Sequence, residues 1–163
     1  MPEPAAVRTL QEEIQQSRPF RSQSQEVTIA LMRTASVVSR RFARVVEPHG
    51  ISLAQYNVLR ILRGAGDTGL PTLAIRDRMI DEGSTVTRLL DKLEKATLVS
   101  RDRSRPDRRQ VVCRITPQGY ALLTTLDPQI DATDLSIMAM LTPEERASLL
   151  TILAAVRAEL SDL

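Results

Sequence analysis

The chain has 163 residues and a formal net charge of +2, which fits one ordinary domain and excludes a large multidomain enzyme. Only 2% of the residues are aromatic and none is Trp, so aliphatic side chains must fill the core, which favours packed helices over a β-sandwich. A single cysteine excludes an intrachain disulfide, and a single histidine argues against a zinc site. We expect no metal and no cofactor.

Membrane and secretion signals are not expected. The uncharged stretch from Leu135 to Pro143 is far shorter than the roughly 20 apolar residues of a spanning helix. The N-terminus has no apolar core followed by a cleavage site of small residues, which a secretion signal requires. The sequence therefore predicts a cytoplasmic protein with no membrane partner.

Positive charge is concentrated in one short stretch. Residues 101–118 contain six Arg against Asp102 and Asp107, whereas residues 119–163 contain two Arg against seven acidic residues. This asymmetry predicts an anionic partner that binds at one place on the molecule.

The first part of the chain predicts an extension and a long helix. Residues 1–23 are polar and contain three Pro, and we interpret them as a partly helical extension. From about Ser24 to Glu47 there is no Gly or Pro, and apolar residues recur at three-, four- and seven-residue steps, which indicates one amphipathic helix. Pro48 and Gly50 end it.

Three helices are predicted next. Ser52 and Gln55 stand at capping-box spacing, at the start of a helix that ends at residues 64–66. A shorter helix follows Pro71, a residue favoured in a first helical turn, and ends near Ile80. A turn over residues 81–83 leads into a fourth helix over residues 84–96.

The fourth helix has two different faces. Its apolar stripe consists of Val86, Leu89, Leu90 and Leu93, and its opposite stripe, which is basic and hydroxylated, consists of Thr85, Arg88, Lys92 and Lys95. Two helices joined by a short turn that contains Gly, with the second helix amphipathic, are typical of a helix-turn-helix.

A basic β-hairpin and two helices complete the prediction. Val111, Cys113 and Ile115 alternate with Gln110, Val112 and Arg114, which indicates a half-buried strand. Paired with a short strand near residue 99, it closes the basic loop of residues 102–109 into a wing. A helix weakened by Asp127 and Pro128 follows, and a last helix starts at a capping box from Thr142 to Glu145.

This order of elements resembles the MarR family of bacterial transcription regulators. The resemblance is carried by ISLAQYNVLRIL, by STVTRLLDKLEKATLVSR and above all by DRRQVVCRITPQG, and it covers roughly residues 27–160. One departure is that Ala96 and Thr97 stand where the family usually has a Gly after the recognition helix.

The resemblance implies a mainly α fold with a small β-hairpin wing, in a homodimer that binds a palindromic operator of double-stranded DNA. Residues 24–50 and 117–163 would form the helical dimerisation region, and residues 51–116 the winged helix-turn-helix lobe. It further implies a repressor that a small aromatic or anionic ligand releases from DNA.

The predicted DNA contacts come from the fourth helix and the wing. Arg88 is suited to donate two hydrogen bonds to guanine, and Lys92 to contact phosphate. The remaining members are hydroxyl groups in the first turns of the helix and charged residues of the wing: Ser84, Thr85, Thr87, Arg103, Arg105, Asp107, Arg108 and Arg109. By the family pattern, Arg109 enters the minor groove and Asp107 holds the loop in shape. The alternative is a solvated face with an Arg88–Asp91 ion pair.

Two further hypotheses concern a ligand and a thiol. Members of the family bind small aromatic acids in a cleft, which in this chain would use Arg41, Phe42, His49 and Tyr56. A surface turn is the alternative for His49. We expect Cys113 to be buried in the hairpin; the alternative is an oxidation switch.

Other function classes are weaker. A winged-helix adaptor that binds only protein does not require the cluster of Arg. The sequence has no glycine-rich phosphate loop, no paired His and no serine elbow, so we predict no enzymatic activity. Single-stranded RNA binding normally uses aromatic platforms, and no aromatic residue lies in the basic stretch.

Overall fold

The computed structural model describes residues 8–81, 83, 85–102 and 111–160. The chain forms two compact units, one up to Arg40 and one from Arg41 onward. The helices of the described residues are α1 (Leu10–Glu13), α2 (Gln23–Val46), α3 (Leu53–Ala65), α4 (Thr72–Arg76), α5 (Val86–Lys95), α6 (Pro117–Met138) and α7 (Pro143–Leu160). The strands are β1 (Leu70–Pro71), β2 (Val99–Asp102) and β3 (Val112–Ile115), and two 3₁₀ turns cover Glu47–His49 and Gly66–Thr68. The predicted fold class, mainly α with a small β-hairpin, is confirmed.

The first unit contains α1 and most of α2. The Thr9 hydroxyl accepts a hydrogen bond from the Glu12 amide, and the Glu12 carboxylate accepts one from the Thr9 amide, which together form a capping box. The prediction that the extension is partly helical is confirmed. Glu13 lies 3.7 Å from Arg33 of α2. Several apolar side chains of α2 remain exposed, namely Val27, Leu31, Met32 and Val37.

The core of the second unit is built around α3. The Ser52 hydroxyl accepts a hydrogen bond from the Gln55 backbone amide at 3.2 Å, and the Gln55 side-chain oxygen accepts one from the Ser52 backbone amide. The predicted capping box is therefore confirmed. The apolar face of α3 is buried, with Val58, Leu59 and Leu62 fully inaccessible to solvent. The helix ends at Ala65 with Gly66 as its C-cap, within the predicted residues 64–66.

The predicted end of the third helix was wrong. Helix α4 begins at Thr72, directly after Pro71 of β1, so its predicted position after Pro71 is confirmed, but it ends at Arg76 rather than near Ile80. The chain turns after Arg76 because the buried Met79 enters the core and the Ile80 amide donates to the Asn57 side chain at 2.9 Å. These tertiary contacts override the local helical pattern.

The wing belongs to a three-stranded antiparallel sheet with the order β1-β3-β2, rather than to a two-stranded hairpin. The predicted pairing of the two longer strands is confirmed, with Val99 opposite Ile115 and Asp102 opposite Val112. The extra strand pairs Leu70 with Cys113 and Pro71 with Val112. Val112 is consequently buried as well as Cys113, so β3 is not the half-buried strand that its alternation predicts.

The last two helices differ in how much of their surface they bury. Helix α6 continues through Pro128, and its buried side chains include Leu123, Leu126 and Ile130. Helix α7 begins with the predicted capping box, in which the Thr142 amide donates to Glu145 at 2.8 Å. None of the residues that the structure describes in α7 is buried. Within the described ranges, no helix has the length and apolarity to cross a membrane.

Candidate DNA-binding surface

Helix α5 presents a polar, basic face to solvent. Its apolar residues Val86, Leu90 and Leu93 are buried in the core, and Leu89 is half-buried against it. Because the period of a helix is 3.6 residues, the opposite face must point outward. The exposed residues there are Thr85, Thr87, Arg88, Asp91, Lys92 and Lys95, four of them cationic or hydroxylated residues of the predicted stripe. The predicted division of this helix into two faces is therefore confirmed.

The predicted start of this helix needs a small correction. The helical segment runs from Val86 to Lys95, inside the predicted residues 84–96. Thr85 precedes the first turn, and its side chain makes no capping hydrogen bond. Its hydroxyl is exposed beside the first turn, where amide groups of a helix favour anions.

The end of helix α5 has a Thr in the left-handed conformation, at a position where the resemblance to the MarR family leads us to expect Gly. Thr97 adopts a left-handed conformation with φ of 60°. Its amide bonds to the carbonyl of Glu94 at 2.9 Å, and the Leu98 amide bonds to the carbonyl of Leu93 at 2.9 Å. This pair of bonds is a Schellman motif, which normally uses Gly because a side chain is strained at positive φ.

Side-chain contacts hold the strained residue in place. The Thr97 hydroxyl contacts the side chain of Gln118 and the carbonyl of Ala96, and its own carbonyl accepts from the Thr116 hydroxyl at 2.7 Å. These bonds fix α5 to the start of α6. Helix α5 is thereby held at its C-terminal end, and on its N-terminal side the Asn57 side chain holds Ile80, six residues before the helix begins.

The base of the wing is fixed by two arginines that face different elements. Arg114 of β3 lies 3.5 Å from Asp102 and donates to the carbonyl of Asp67 at 3.0 Å. Arg101 of β2 contacts Asp91 and Glu94, both on α5. Sequence reasoning missed Arg101, although it stands in the basic stretch, because its pairing with α5 depends on the tertiary fold.

Arg101 is almost fully enclosed, with 8% of its side chain exposed. Its Nη2 donates a hydrogen bond to Asp91, whereas its Nε lies 3.1 Å from a carboxylate oxygen of Glu94 in an ion pair that lacks hydrogen-bond geometry. Burial lowers the pKa of the guanidinium, but the two carboxylates outweigh burial and the pKa is raised overall. Arg101 is therefore a fixed positive charge between β2 and α5.

Six of the predicted DNA contacts lie outside the described residues. They are Ser84 in the turn before α5 and the wing residues Arg103, Arg105, Asp107, Arg108 and Arg109. Their roles stay predictions. The strands that lead into and out of this segment, β2 and β3, are paired at Asp102 and Val112.

The four candidate ligand-binding residues have unequal exposure. Arg41 is exposed, Phe42 and His49 are half-buried, and Tyr56 is 5% exposed. Tyr56 belongs to the core and Phe42 packs against it, so both aromatic rings have a structural role. Burial raises the pKa of the Tyr56 hydroxyl, and the Arg60 guanidinium lies 6.0 Å from the ring centroid.

Cys113 is buried, as the sequence predicts. Its side chain is inaccessible to solvent and its Sγ lies 3.9 Å from the Thr72 hydroxyl. Burial raises the pKa of the thiol, which disfavours the reactive thiolate.

Comparison with known proteins agrees with the geometry. A model of the MarR family matches residues 51–111, which contain α3, α4, α5 and β2. The chain is 32% identical over 135 residues to the HTH-type transcriptional regulator TtmR of Methylorubrum extorquens, covering 83% of this chain and 67% of the relative. The chain belongs to the MarR family.

Two further relatives indicate what such proteins do. The homoprotocatechuate degradative operon repressor of Escherichia coli is 27% identical, over 78% of this MarR-family chain and 84% of its own length. The solved structure of BpsR from Bordetella bronchiseptica, whose DNA binding is regulated by 6-hydroxynicotinic acid, has a TM-score of 0.72 and 25% identity, covering 81% and 98% of the two chains. MarR-family proteins of this kind are transcriptional regulators and not enzymes.

Proposed function

We propose that this MarR-family regulator is a homodimer that binds a palindromic operator in double-stranded DNA and represses transcription. The exposed face of α5 carries the proposal, because Arg88 and Lys92 project from a helix whose opposite side is locked in the core. An α-helix fits the major groove of B-DNA, where an Arg can donate two hydrogen bonds to guanine. The wing segment with Arg103, Arg105, Arg108 and Arg109 would contact the phosphates and the minor groove beside it.

The proposed homodimer is supported by the apolar surface of α7. Leu149, Leu150, Ile152, Val156 and Leu160 are all exposed, with Leu150 at 69% and Leu160 at 61%. An apolar helix with this much exposed surface is typical of a protein–protein interface. A two-fold dimer places its recognition helices one DNA turn apart, about 34 Å, which requires a palindromic site. Residues 24–50 and 117–163 are the proposed dimerisation region.

The proposed repression and its release by a ligand are supported by the relatives. One relative is named as an operon repressor and another is regulated by an aromatic carboxylic acid. In this chain, the exposed cation of Arg41 is suited to a carboxylate, and the half-buried rings of Phe42 and His49 are suited to an aromatic ligand, with Tyr56 in the core that Phe42 packs against. Binding of a salicylate-like acid should therefore weaken DNA binding.

Fluorescence anisotropy with labelled duplex DNA from the gene's own upstream region tests the proposal. A scrambled duplex of equal length is the control, and both are titrated at several salt concentrations. We expect the upstream duplex to bind about 10³-fold or more tightly than the scrambled one. We also expect the affinity for both to fall steeply with salt, because bound Lys and Arg release counterions from the phosphates.

The alternative is a winged-helix adaptor that binds protein and not DNA. It predicts equally weak binding of both duplexes and flat salt slopes, and that result would contradict the proposed function. Addition of salicylate to the bound complex tests the ligand separately. Unchanged anisotropy over a broad concentration range would remove ligand release from the proposal and leave DNA binding in place.

A further inference from the structure

The recognition helix carries two acidic residues among its cations. Asp91 and Glu94 lie on α5 together with Arg88, Lys92 and Lys95. A carboxylate on a DNA-binding helix repels phosphate and competes for neighbouring cations. Asp91 is three residues after Arg88, a spacing at which side chains of a helix meet, so an Arg88–Asp91 ion pair is sterically available.

The structure shows a different pairing. Asp91 is bonded to Arg101 of β2, and the same guanidinium lies 3.1 Å from Glu94. Among the described residues, no carboxylate lies within ion-pair distance of Arg88. The Arg101 side chain is 8% exposed, whereas Asp91 and Glu94 are 53% and 40% exposed. The enclosed cation therefore draws both carboxylates toward the base of the wing.

We infer that Arg101 is a positioning residue for DNA binding: by holding Asp91 against β2, it keeps that carboxylate away from Arg88 and leaves the Arg88 guanidinium available to a base. Arg101 acts through Asp91 and does not touch DNA itself. This inference rests on the proposed function. It also gives a reason for an enclosed arginine at this position, since one guanidinium can bind two carboxylates at once whereas an ammonium group is a single point charge.

A double-mutant cycle tests the inference with the full chain and the labelled upstream duplex. Arg101→Gln removes the cation, and we expect Kd to rise about two- to fivefold, the range that corresponds to one exposed ion pair newly formed between Asp91 and Arg88. Asp91→Asn in the Arg101→Gln background should return Kd to the wild-type value. Asp91→Asn alone should change Kd by less than this rescue.

Glu94→Gln provides the matched control. Glu94 also pairs with Arg101, but it is six residues from Arg88 and lies on a different side of the helix. It should therefore fail to rescue Arg101→Gln. Arg101→Lys is measured in parallel, because the Lys ammonium group keeps a positive charge at this position. If Arg101→Gln does not fold, the same double-mutant cycle with Asp91→Asn is measured with Arg101→Lys. Thermal unfolding of each variant verifies the fold.

The outcomes separate the two proposals. A wild type that does not bind the duplex contradicts the proposed function. If the wild type binds and Arg101→Gln binds equally well, the inference about Arg101 is wrong while the proposed function stands. If Arg101→Gln binds weakly and neither Asp91→Asn nor Glu94→Gln restores it, Arg101 has a structural role only, and the inference is again wrong.

Discussion

Arg63 of α3 forms a bidentate ion pair with Asp127 of α6, with Nη1–Oδ2 at 2.7 Å and Nη2–Oδ1 at 3.0 Å. The pair joins the helix at the centre of the core to the helix that follows the wing. Parallel hydrogen bonds of this kind add geometric specificity to charge attraction. Asp127 immediately precedes Pro128, so the contact holds α6 at the residue where a proline removes a backbone donor.

The Arg63–Asp127 pair predicts a pH-dependent contribution to stability. The hydrogen bond from Arg63 lowers the pKa of Asp127 in the folded state, against the smaller opposing effect of burial. The stabilisation is therefore complete above the unfolded-state pKa of about 3.9 and is lost as the pH falls through the lower folded pKa. The Asp127 side chain is 37% exposed, so solvent screens the ion pair. We therefore expect the pair to contribute about 0.5–1 kcal/mol to the free energy of unfolding at pH 7.

Urea unfolding of the wild type and Asp127→Asn between pH 7 and pH 3 measures this contribution. The two free energies of unfolding should differ at pH 7, and the difference should begin to shrink below about pH 4, where unfolded Asp127 takes up its proton. Asp131→Asn, an exposed change one turn further along α6, is the control and should have little effect. A difference that stays constant over the whole range would contradict an ionic origin.

Two glycines should respond in opposite directions to a methyl group. A Cβ on Gly119 would lie 2.4 Å from the carbonyl oxygen of Leu98, which is backbone and cannot move aside cheaply. Gly119→Ala should therefore lower the free energy of unfolding by about 1–3 kcal/mol. A Cβ on Gly64 of α3 would meet no heavy atom within 4 Å beyond its own helical turn, so Gly64→Ala should raise stability by about 0.5–1 kcal/mol. Chemical denaturation of both variants measures these changes in the free energy of unfolding. Equal changes in the two variants would be inconsistent with the close approach at Gly119.

The left-handed Thr97 predicts a stabilising substitution. A β-branched residue at φ of 60° is strained by about 1–2 kcal/mol, and Gly is not. The Schellman bonds use only backbone atoms and survive the change. Thr97→Gly should raise the thermal unfolding midpoint, whereas Thr97→Ala keeps the strain, loses the hydroxyl bonds and should lower it. If Thr97→Gly is less stable than the wild type, the side-chain bonds to Gln118 and Ala96 outweigh the strain.

The proposed interface on α7 predicts the behaviour of a charged variant. The chain has a mass of 18.1 kDa, so the wild type should have twice that mass by light scattering after gel filtration. Leu150→Asp places a charge on the exposed apolar surface and should shift the mass toward the monomer, because an unpaired charge in an interface is costly. Ser148→Asp, an exposed polar position on the same helix, should leave the mass unchanged. A wild type of monomeric mass would contradict the proposed dimer.

Arg88 and Lys92 should differ in the kind of DNA binding that they support. Arg88→Ala should weaken the free energy of binding to the upstream duplex by about 1–3 kcal/mol and change binding to the scrambled duplex little, because a base contact carries sequence information. Lys92→Ala should weaken binding to both duplexes and reduce the slope of log K against log salt by about one, as a phosphate contact does. Arg146→Ala on α7 is the control. Equal losses on both duplexes for Arg88→Ala would assign it to phosphate instead.

The parts of the fold that sequence reasoning predicted are those that local chemistry sets. The capping box at Ser52, the end of α3 at its C-cap Gly66 and the burial of Val86, Leu90 and Leu93 follow from patterns within one turn or one face of a helix. The basic, hydroxylated face of α5 follows from the same period.

Sequence reasoning erred where distant residues intervene. It extended α4 to Ile80, whose amide is captured by Asn57, twenty-three residues earlier. It did not predict β1, a two-residue strand that exists only because Val112 and Cys113 lie beside it. A short strand has little propensity of its own, and its pairing is a tertiary event.

The sequence by itself determined the helical period, the caps and the concentration of cations, because these depend on side chains only a few residues apart. Only the tertiary structure decided the partners of the charges. Asp91 is suited by spacing to Arg88, yet it is bonded to Arg101 of another element, and Arg63 finds Asp127 sixty-four residues away. Such choices depend on which elements the buried core brings into contact, and no local pattern contains that information.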